Sequence, residues 1–414
     1  MLPQLSVCLL VYLPVLLVQG GTTSPSQKSP LLRPPPLLGD PSWALGLHLY
    51  KALRSDSSSV NTLFSPLLLG SSIGALGGGS AGTTASQLHD LLKTPSPAKA
   101  QPGEILSGAL KGVTEANGTS FHVHASSAVF SKQTPPVRQS FEKEIQTKFR
   151  LQHQPLGKGD SKADLRQIHS WAKVGLGGQE GPALEAEIQT KAGALILANA
   201  LHFKGLWERE FSVESSDQRT FLGKKYTKVT MMHRAGLYRF NEDMQNMVQV
   251  LEVDLWSGKA SLVFLLPFHV ESLTRLEKHL TLEQLSKWLE KTTVTSVAIS
   301  VPKANITNTL SLQKQLSALG LTDPWDQKVA DFSGVSDKSK GMLHLGGVLH
   351  WASLELAAEA GKGDVELEEE HIEKPKMFYA DHPFIFLVRE NTNGALLLMG
   401  ALDHVEGEAV HDEL

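Results

Sequence analysis

Cysteine is almost absent from this sequence. The 414 residues include one cysteine, Cys8, which lies in an apolar stretch at the N-terminus. A lone cysteine cannot close a disulfide within the chain, and a cysteine-ligated metal site needs several thiolates. The sequence therefore excludes a small disulfide-stapled scaffold, and it offers no thiol nucleophile once that stretch is removed.

Long runs of charge of one sign are also absent. Lys and Arg total 39 and Asp and Glu total 43, so the formal net charge is -4. A nucleic-acid-binding protein normally presents a clustered basic face, and we therefore predict no nucleic-acid partner. The 41% of hydrophobic residues and 20% of charged residues favour a large buried core over a disordered chain.

The N-terminal stretch, residues 1–20, is apolar and contains neither lysine nor arginine. We interpret it as a signal peptide. A membrane anchor is the alternative, but the two prolines and the missing basic flank count against it. After cleavage we expect no membrane insertion. Residues 21–41 are rich in Ser, Pro and Leu and are predicted to form a flexible leader.

The C-terminal tail, residues 404–414, is acidic and ends in the tetrapeptide His411, Asp412, Glu413 and Leu414 (HDEL). This tetrapeptide is an address read by a receptor, so it predicts residence in the lumen of the endoplasmic reticulum and a retention-signal receptor as a partner. Asn117 and Asn305 each begin an Asn-X-Thr tripeptide. They are predicted glycosylation sites, which agrees with passage through that compartment.

Apolar spacing and capping residues predict several helices. The spacing indicates helices over residues 42–53 and 141–149. Ser65-Pro66 provides an N-cap and a first-turn proline for a helix that runs to about residue 76. Thr281 begins a capping box that separates two short helices within residues 272–291.

Apolar runs and alternating patterns predict the strands. Residues 121–130 and 193–203 indicate strands, and the second reads as a central buried one. Residues 296–301 alternate in character and predict a half-buried strand that ends at Pro302. Residues 384–402 predict a C-terminal hairpin with a two-residue Asn-Gly turn. Because no repeat or linker interrupts the pattern, we predict one mixed α+β domain.

Two patterns that resemble catalytic motifs lack the context that their chemistry needs. Residues 77–82 (GGGSAG) satisfy a dinucleotide-binding fingerprint and a G-x-S-x-G pattern around Ser80. Both need a strand entering the turn, whereas a helix precedes this one, so we predict an interhelical turn. His122 and His124, like the Glu-rich residues 368–371, lack further ligands at defined spacing. We predict no metal, no cofactor and no enzymatic activity.

Several segments together are similar to the serpin family. They are residues 61–66 (NTLFSP), 199–211 (NALHFKGLWEREF), 318–321 (ALGL), 330–334 (ADFSG) and 381–384 (DHPF). The resemblance implies a serpin fold over residues 42–403. Such a fold has an α+β architecture with three β-sheets, about nine helices and an exposed reactive-centre loop.

Within that family the resemblance is to a non-inhibitory branch that binds collagen in the endoplasmic reticulum. Residues 231–238 (MMHRAGLY), residues 378–389 (FYADHPFIFLVR) and the retention signal carry it. It implies a monomeric, non-enzymatic chaperone that binds the procollagen triple helix. The alternatives are a retained inhibitor that traps a lumenal serine protease, and a general lumenal binding protein with no collagen preference.

The resemblance assigns collagen binding chiefly to Asp381. A triple helix exposes its X and Y side chains, and a carboxylate can accept the guanidinium of an exposed arginine bidentately. Tyr379 and Met377 precede Asp381 by two and four residues, so they share its face of an extended segment and would pack beside the arginine. Lys224 and Ser300 are implied peripheral contacts. The alternative for Asp381 is a structural role, as the partner of a neighbouring arginine or as a turn cap.

Release is predicted to depend on pH. An ordinary histidine, with a pKa of about 6.5, goes from roughly 17% to roughly 60% protonated as the pH falls from about 7.2 to about 6.3. The candidates near the binding strands are His233, His269, His350 and His382. Phe268 stands where the collagen-binding branch carries another histidine, so we expect a shallower pH dependence. Ordinary packing or solvent exposure is the alternative for each histidine.

The predicted reactive loop, residues 358–374, departs from the loop of an inhibitor. The residues that stand where inhibitory serpins carry a hinge and a run of alanines are Gly361, Lys362, Gly363 and Asp364. Glycine weakens strand formation, and Glu369 would face inward uncompensated if the loop entered a sheet. Insertion of the loop is therefore disfavoured.

Overall fold

The computed structural model describes residues 39–56, 61–95, 100–184, 188–213, 217–337, 342–363, 367 and 369–410. The predicted signal peptide, nearly all of the leader, Asp364 and the HDEL tetrapeptide lie outside the described residues. Within these ranges, no helix combines the length and the apolar character needed to cross a membrane.

The described ranges contain nine α-helices, in agreement with the number that the resemblance implied. They are α1 (Pro41–Arg54), α2 (Pro66–Gly78), α3 (Gly82–Asp90), α4 (Pro102–Glu115), α5 (Gln139–Phe149), α6 (Ser161–Gly175), α7 (Thr274–His279), α8 (Leu282–Glu290) and α9 (Gln313–Ala318). The helices predicted within residues 42–53, 66–76, 141–149 and 272–291 are confirmed.

Side-chain caps fix where these helices begin. Ser65 Oγ accepts a hydrogen bond from the Leu68 backbone N–H at 3.1 Å at the start of α2. Thr281 Oγ1 accepts from the Gln284 backbone N–H at 3.1 Å at the start of α8. Each oxygen satisfies one of the N–H groups that a helix leaves unpaired in its first turn, which is why both boundaries could be predicted.

Fifteen strands lie in the same ranges. They are β1 (Thr62–Phe64), β2 (Phe121–Ser131), β3 (Leu151–Pro155), β4 (Ala194–Gly205), β5 (Gln218–Leu222), β6 (Tyr226–Asp243), β7 (Val248–Asp254), β8 (Ala260–Pro267), β9 (Thr293–Pro302), β10 (Ala304–Ser311), β11 (His344–Leu356), β12 (Lys376–Tyr379), β13 (Phe384–Glu390), β14 (Leu396–Leu402) and β15 (Glu408–Ala409). The strands predicted over residues 121–130, 193–203 and 296–301 are confirmed as β2, β4 and β9.

Five strands form one sheet in the order β10-β11-β4-β2-β3. Its parallel middle pair, β4 and β11, extends from His344 opposite Ala194 to Glu355 opposite Lys204, with a β-bulge between Leu345 and Gly347. At the Glu355 end, the Lys204 ammonium forms ion pairs with Glu355, at 2.9 Å, and with Glu359. The reactive loop follows β11, and among the described residues none of it lies between β4 and β11. The place where a loop strand could enter is therefore closed.

The other ten strands form a continuous hydrogen-bonded set around β6. Its main path is β1-β14-β13-β8-β7-β6-β9-β12, and β5 and β15 pair with the first part of β6. Strand β6 pairs with β9 over residues 231–240 and with β7 over residues 239–243. Because this single strand of 18 residues serves both parts, two of the three implied sheets are joined into one set.

The predicted C-terminal hairpin is present, but its turn is longer than expected. Strands β13 and β14 are antiparallel, and every residue of both is buried. The Glu390 N–H donates to the Ala395 carbonyl across residues 391–394, so the predicted two-residue turn is wrong. The Glu390 carboxylate accepts from the backbone N–H groups of Thr392 and Asn393, which stabilises the longer turn.

The glycine-rich residues 77–82 join α2 to α3, as predicted. Ser80 Oγ donates a hydrogen bond to the Gly77 carbonyl at 2.8 Å, so the hydroxyl is used within the turn. A Cβ atom at Gly79 would lie 2.5 Å from the Phe141 ring and 2.7 Å from Val335. Glycine is therefore required at position 79 by close packing. A helix and not a strand enters the turn, so the context that both catalytic motifs need is missing.

Candidate functional site

Strand β12 separates its side chains into a buried side and an outward side. Phe378 and Ala380 are fully buried, whereas Met377 is 60% exposed and Tyr379 is half-buried. Asp381 follows the end of β12, and the alternation continues to it, because Ala380 is buried and Asp381 is partly exposed on the same outward side as Met377 and Tyr379. The structure thus brings three of the predicted collagen-binding residues onto one surface, which we call the β12 face (Met377, Tyr379 and Asp381).

Ser300 lies directly beside this face. Strands β12 and β9 are parallel with Tyr379 opposite Ser300, and on the other side of β9 the β6 residue His233 is opposite Ser300. Ser300 Oγ lies 2.7 Å from His233 Nδ1, and Ser300 is only 6% exposed. An isolated bridge adds Ser212 opposite His233. One row of neighbours therefore crosses four backbone segments: Tyr379, Ser300, His233 and Ser212. The Ser300 hydroxyl contacts the His233 ring and is largely shielded from solvent.

A shallow depression of about 430 Å³ opens over part of this row. Its lining includes Ser212, His233, Ser300 and the exposed side chain of Glu210. Sequence reasoning did not single out Glu210, because it lies within the family-like residues 199–211 and nothing local indicates which of those side chains reach the surface. The sheet pairing alone brings this carboxylate next to the predicted site.

Lys224 lies at the tip of the β5–β6 hairpin. Backbone hydrogen bonds hold this hairpin next to the β12 face. The Leu222 N–H donates to the Asp381 carbonyl at 2.6 Å, and the Lys224 N–H donates to the Asp403 carbonyl at 3.3 Å. The Lys224 side chain itself is exposed. These backbone bonds hold the hairpin tip beside Asp381 and leave the ammonium group available to a partner.

The Asp381 carboxylate is partly used within the protein. Its side chain is 22% exposed, and Oδ1 lies 2.8 Å from Nδ1 of His382. On the other side of the same ring, Nε2 lies 2.8 Å from the Pro267 carbonyl oxygen. Among the described residues no arginine pairs with Asp381. The internal contact of this carboxylate, which the structural role required, is made with a histidine instead. The second carboxylate oxygen has no hydrogen-bond partner among them.

The two neighbours of the His382 ring have a chemical consequence. A carboxylate and a carbonyl oxygen only accept hydrogen bonds, and a neutral imidazole carries one N–H. Both contacts are satisfied together only when His382 is protonated on both nitrogens. The cation would then neutralise the Asp381 carboxylate, so the protonation of His382 and the availability of Asp381 are coupled.

The remaining predicted pH-sensing histidines differ in their surroundings. His233 contacts Ser300 through Nδ1, and its Nε2 lies 3.7 Å from Asp217. His269 is exposed and lies two residues beyond Pro267. His233 lies on β6, two strands away from β12, whereas His269 lies just beyond the end of β8, whose Pro267 carbonyl contacts His382.

His350 does not support its predicted role. It is fully buried in β11, and its Nε2 accepts a hydrogen bond from the Ser65 backbone N–H at 2.9 Å. Burial lowers the pKa of His350 to about 3, so its charge does not change between pH 6 and pH 7. The prediction for His350 is wrong, because the sequence could not show that this histidine lies in the core of the five-stranded sheet.

The base of the reactive loop is packed against the body of the protein. The Gly361 N–H donates to the Trp207 carbonyl at 3.0 Å, and the Trp207 N–H donates to the Glu359 carbonyl at 3.0 Å. A Cβ atom at Gly361 would lie 2.2 Å from Cγ of Trp256, and one at Gly363 would lie 3.2 Å from the same indole. The glycines predicted to weaken a strand therefore also allow the loop to lie flat on Trp256, while Lys362 is exposed.

The far part of the loop is held by an ion pair that sequence reasoning missed. Glu370 forms ion pairs with Arg234 of β6 and with Arg209, and it also accepts from the Leu237 N–H at 3.1 Å. The Glu373 N–H donates to Ser296 Oγ at 3.3 Å. The Glu-rich stretch, considered above as a metal site, thus fastens the loop to the strands beside the β12 face.

A buried ionic group joins three strands of the same set, β6, β7 and β13. Glu252 contacts Arg389 and Arg239, and Arg239 also contacts Asp254 at 3.0 Å. Although burial alone would raise the pKa of Glu252, the two guanidinium groups hold it below its usual value. Burial raises the pKa of Asp254 to about 6. The apolar run that ends at Arg389 could not reveal this arrangement, since its partners come from two other strands.

No group of three or more His, Cys, Asp or Glu side chains in the described ranges could hold a metal ion. His122 and His124 both project from β2 as exposed side chains.

The two predicted glycosylation sites lie in different kinds of backbone structure. Asn117 is exposed in the loop after α4, and Asn305 is exposed within the edge strand β10.

Comparison with known proteins agrees with this architecture. Residues 42–405 match the family model Serpin (serine protease inhibitor), and the chain belongs to the serpin family. The implied α+β serpin fold is confirmed. Uncleaved ovalbumin has a TM-score of 0.76 to this structure at 22% identity, covering 89% of this chain and 99% of that chain. At that identity the likeness shows the fold alone.

Relatives with higher identity carry the name Serpin H1. The chain is 36% identical over 383 residues to Serpin H1 of Mus musculus, which covers 91% of this chain and 90% of that protein. Serpin H1 of Gallus gallus is 33% identical over 407 residues and is covered completely, with 98% of this chain matched. The similarity thus extends over nearly the whole length of both proteins.

Proposed function

We propose that this serpin is a non-enzymatic chaperone of the endoplasmic reticulum lumen that binds the procollagen triple helix on the β12 face. The observation that carries this proposal is that Met377 and Tyr379 of the edge strand β12, and Asp381 just after it, lie on one outward side. The similarity to Serpin H1 and the resemblance to the collagen-binding branch support it.

The residues on the β12 face suit a rod with isolated projecting side chains. The free oxygen of Asp381 accepts an arginine guanidinium from the triple helix, while Met377 and Tyr379 provide apolar contact beside it. Methionine adapts to an irregular surface through its three rotatable bonds, which suits its 60% exposure. Lys224 reaches the same client from the hairpin tip, and Ser300 fixes the orientation of His233 behind it.

Release follows from competition for Asp381. As the pH falls, His382 gains a second N–H and becomes a cation beside the carboxylate that holds the client arginine. The protein's own cation then pairs with Asp381, and the arginine is displaced. His233 and His269 add positive charge near the same face and act in the same direction.

Retention and processing complete the proposal. The HDEL tetrapeptide returns the client-free protein through a retention-signal receptor, and the protein acts as a monomer. Asn117 and Asn305 are exposed and carry glycans added in the same compartment.

One observation favours a second candidate, inhibition of a lumenal serine protease. The five-stranded sheet is closed and the reactive loop lies outside it among the described residues, which is the arrangement from which loop insertion would have to start. The contacts of Gly361 with Trp207 and of Glu370 with Arg234 oppose insertion, because both must break before the loop can move. A covalent complex with a serine protease that survives detergent would favour this candidate.

The deciding experiment measures binding of the protein to triple-helical (Gly-Pro-X)-type peptides with and without one arginine at a Y position. We expect the arginine to strengthen binding by about 1.5 to 3 kcal/mol at neutral pH, which is roughly tenfold to a hundredfold. Asp381→Asn should remove that increment, whereas Asp90→Asn on the exposed end of α3 should keep it. Equal binding of single-chain and triple-helical peptides would favour a general binding protein.

A further inference from the structure

The depression beside the β12 face contains a carboxylate to which the proposed function assigns no role. Glu210 is exposed and lines the depression together with Ser212, His233 and Ser300. Among the described residues its carboxylate has no ion-pair or hydrogen-bond partner. Its backbone is nevertheless anchored, because the next residue, Phe211, is buried and donates its N–H to the Ala358 carbonyl at 3.0 Å.

We propose that Glu210 accepts a second cationic side chain of the same triple-helical client, so that the protein recognises a pair of basic residues. The inference rests on the proposed function and deepens it. The row that links the two carboxylates is continuous, since Tyr379, Ser300, His233 and Ser212 are successive neighbours across the strands. Asp381 follows Tyr379 by two residues and Glu210 precedes Ser212 by two residues, so the two carboxylates lie at opposite ends of the row and on opposite sides of it.

Among the charged side chains that line the depression, Glu210 is the one whose charge is not offset by a partner in the described part of the protein. Arg234, which also lines the depression, is held by Glu370 and by the Tyr238 hydroxyl, so its charge is offset within the protein. His233 contacts Ser300 and faces Asp217 at 3.7 Å. A lysine or arginine of the client would therefore meet a net negative lining, whereas an acidic side chain would be repelled.

The spacing between the carboxylates selects which client residues are paired. Tyr379 and Ser212 are three strand spacings apart, or about 14 Å at roughly 4.8 Å per spacing. Asp381 and Glu210 are also offset along the strands by about four residues, or about 13 Å at roughly 3.3 Å per residue, so the two carboxylates lie about 19 Å apart. Residues of a triple helix advance by about 3 Å each, so this span corresponds to about six residues. Y positions recur every third residue, and the second basic residue is therefore expected about two triplets away from the first.

The test compares triple-helical peptides with no arginine, with one Y-position arginine, and with two arginines one or two triplets apart. We expect one of the two-arginine peptides to bind about fivefold more tightly than the one-arginine peptide, in keeping with a largely exposed ion pair. Glu210→Gln should abolish this gain and leave the affinity for the one-arginine peptide unchanged. Glu283→Gln, on the exposed side of α8, should retain the gain.

The outcomes separate the inference from the function on which it rests. If the one-arginine peptide binds no better than the peptide without arginine, the proposed function fails and the inference with it. If the first arginine is recognised but the second adds nothing at either spacing, or adds the same in Glu210→Gln, the inference is wrong and the function stands. Replacing the second arginine by lysine should keep the gain, and replacing it by glutamate should reverse it.

Discussion

His382 Nδ1 lies 2.8 Å from Oδ1 of Asp381, the carboxylate proposed to hold the client arginine. The opposite nitrogen of the ring faces the Pro267 carbonyl oxygen at 2.8 Å, so the ring is held in place from both sides. This contact joins the proposed binding group and a proton-accepting group in a single pair. A change of charge on the imidazole therefore acts directly on the carboxylate, with no conformational change required.

The first prediction concerns this pair. A cation at His382 competes with the client arginine for the Asp381 carboxylate, so arginine-dependent binding should weaken as the pH falls from about 7.2 to about 6.3. His382→Gln can still donate an amide N–H to the Pro267 carbonyl but cannot become charged. We expect its affinity for the one-arginine peptide to change much less between the two pH values than that of the unmodified protein, as measured by calorimetry.

His233→Gln provides the comparison, because His233 lies in the same row without contacting Asp381. It should retain most of the pH dependence. If His382→Gln weakens with falling pH as much as the unmodified protein does, the Asp381–His382 pair is not the release element.

The second prediction concerns His350. Its folded-state pKa of about 3 lies below the value of an unfolded histidine, so between pH of about 6.5 and about 3 the unfolded chain binds a proton that the folded protein does not. This contribution lowers the free energy of unfolding as the pH falls through that window. In His350→Gln the loss should be smaller by up to about 1.4 kcal/mol per pH unit, measured by urea denaturation between pH 6.5 and pH 4.

The exposed His279→Gln on α7 should leave the slope as it is. His350→Gln should also leave the pH dependence of client binding unchanged. A changed pH dependence of client binding in that variant would mean that His350 does take part in pH sensing.

The third prediction concerns the buried ionic group. Arg389→Met leaves Glu252 buried with one of its two guanidinium partners missing, and the two residues are only 5% and 3% exposed. Breaking a buried pair in this way typically costs about 3 to 5 kcal/mol of unfolding free energy. The double variant Arg389→Met with Glu252→Gln should recover part of that loss in urea denaturation.

An exposed pair provides the control. Lys93 pairs with Asp90 at the surface, and Lys93→Met should leave the urea midpoint almost unchanged. A similar small effect for Arg389→Met would show that the buried group does not stabilise the fold.

The fourth prediction concerns the loop. Gly361→Val places a Cβ atom within 2.3 Å of two Trp256 side-chain atoms, so the loop base must detach from the indole. We expect cleavage within residues 358–374 by a non-specific protease to become at least about tenfold faster, because local unfolding exposes the backbone. Lys362→Ala, which changes only the exposed neighbour, should be cleaved at the original rate. Equal rates for all three proteins would mean that Trp256 does not hold the loop.

Part of the fold could be predicted because it depends on local chemistry. The N-cap of α2 at Ser65, the capping residue Thr281 and the apolar run of β13 each show their structure in a few neighbouring residues. The four-residue turn after Glu390 was missed because the carboxylate that stabilises it precedes the Asn-Gly pair and gives no signal of its own. The exposed side of β12 was predicted from alternation alone, since a strand turns every second side chain the same way.

The sequence alone determined which residues alternate along β12, where the helices start, and that the chain resembles the serpins. Only the tertiary structure decided that His382 contacts Asp381, that His350 is buried and uncharged, and that Glu210 lies across the strands from the β12 face. The physical reason is that capping and alternation act between residues close in the chain. Burial and ion pairing depend instead on which distant strands pair, and that choice is made by the whole core at once.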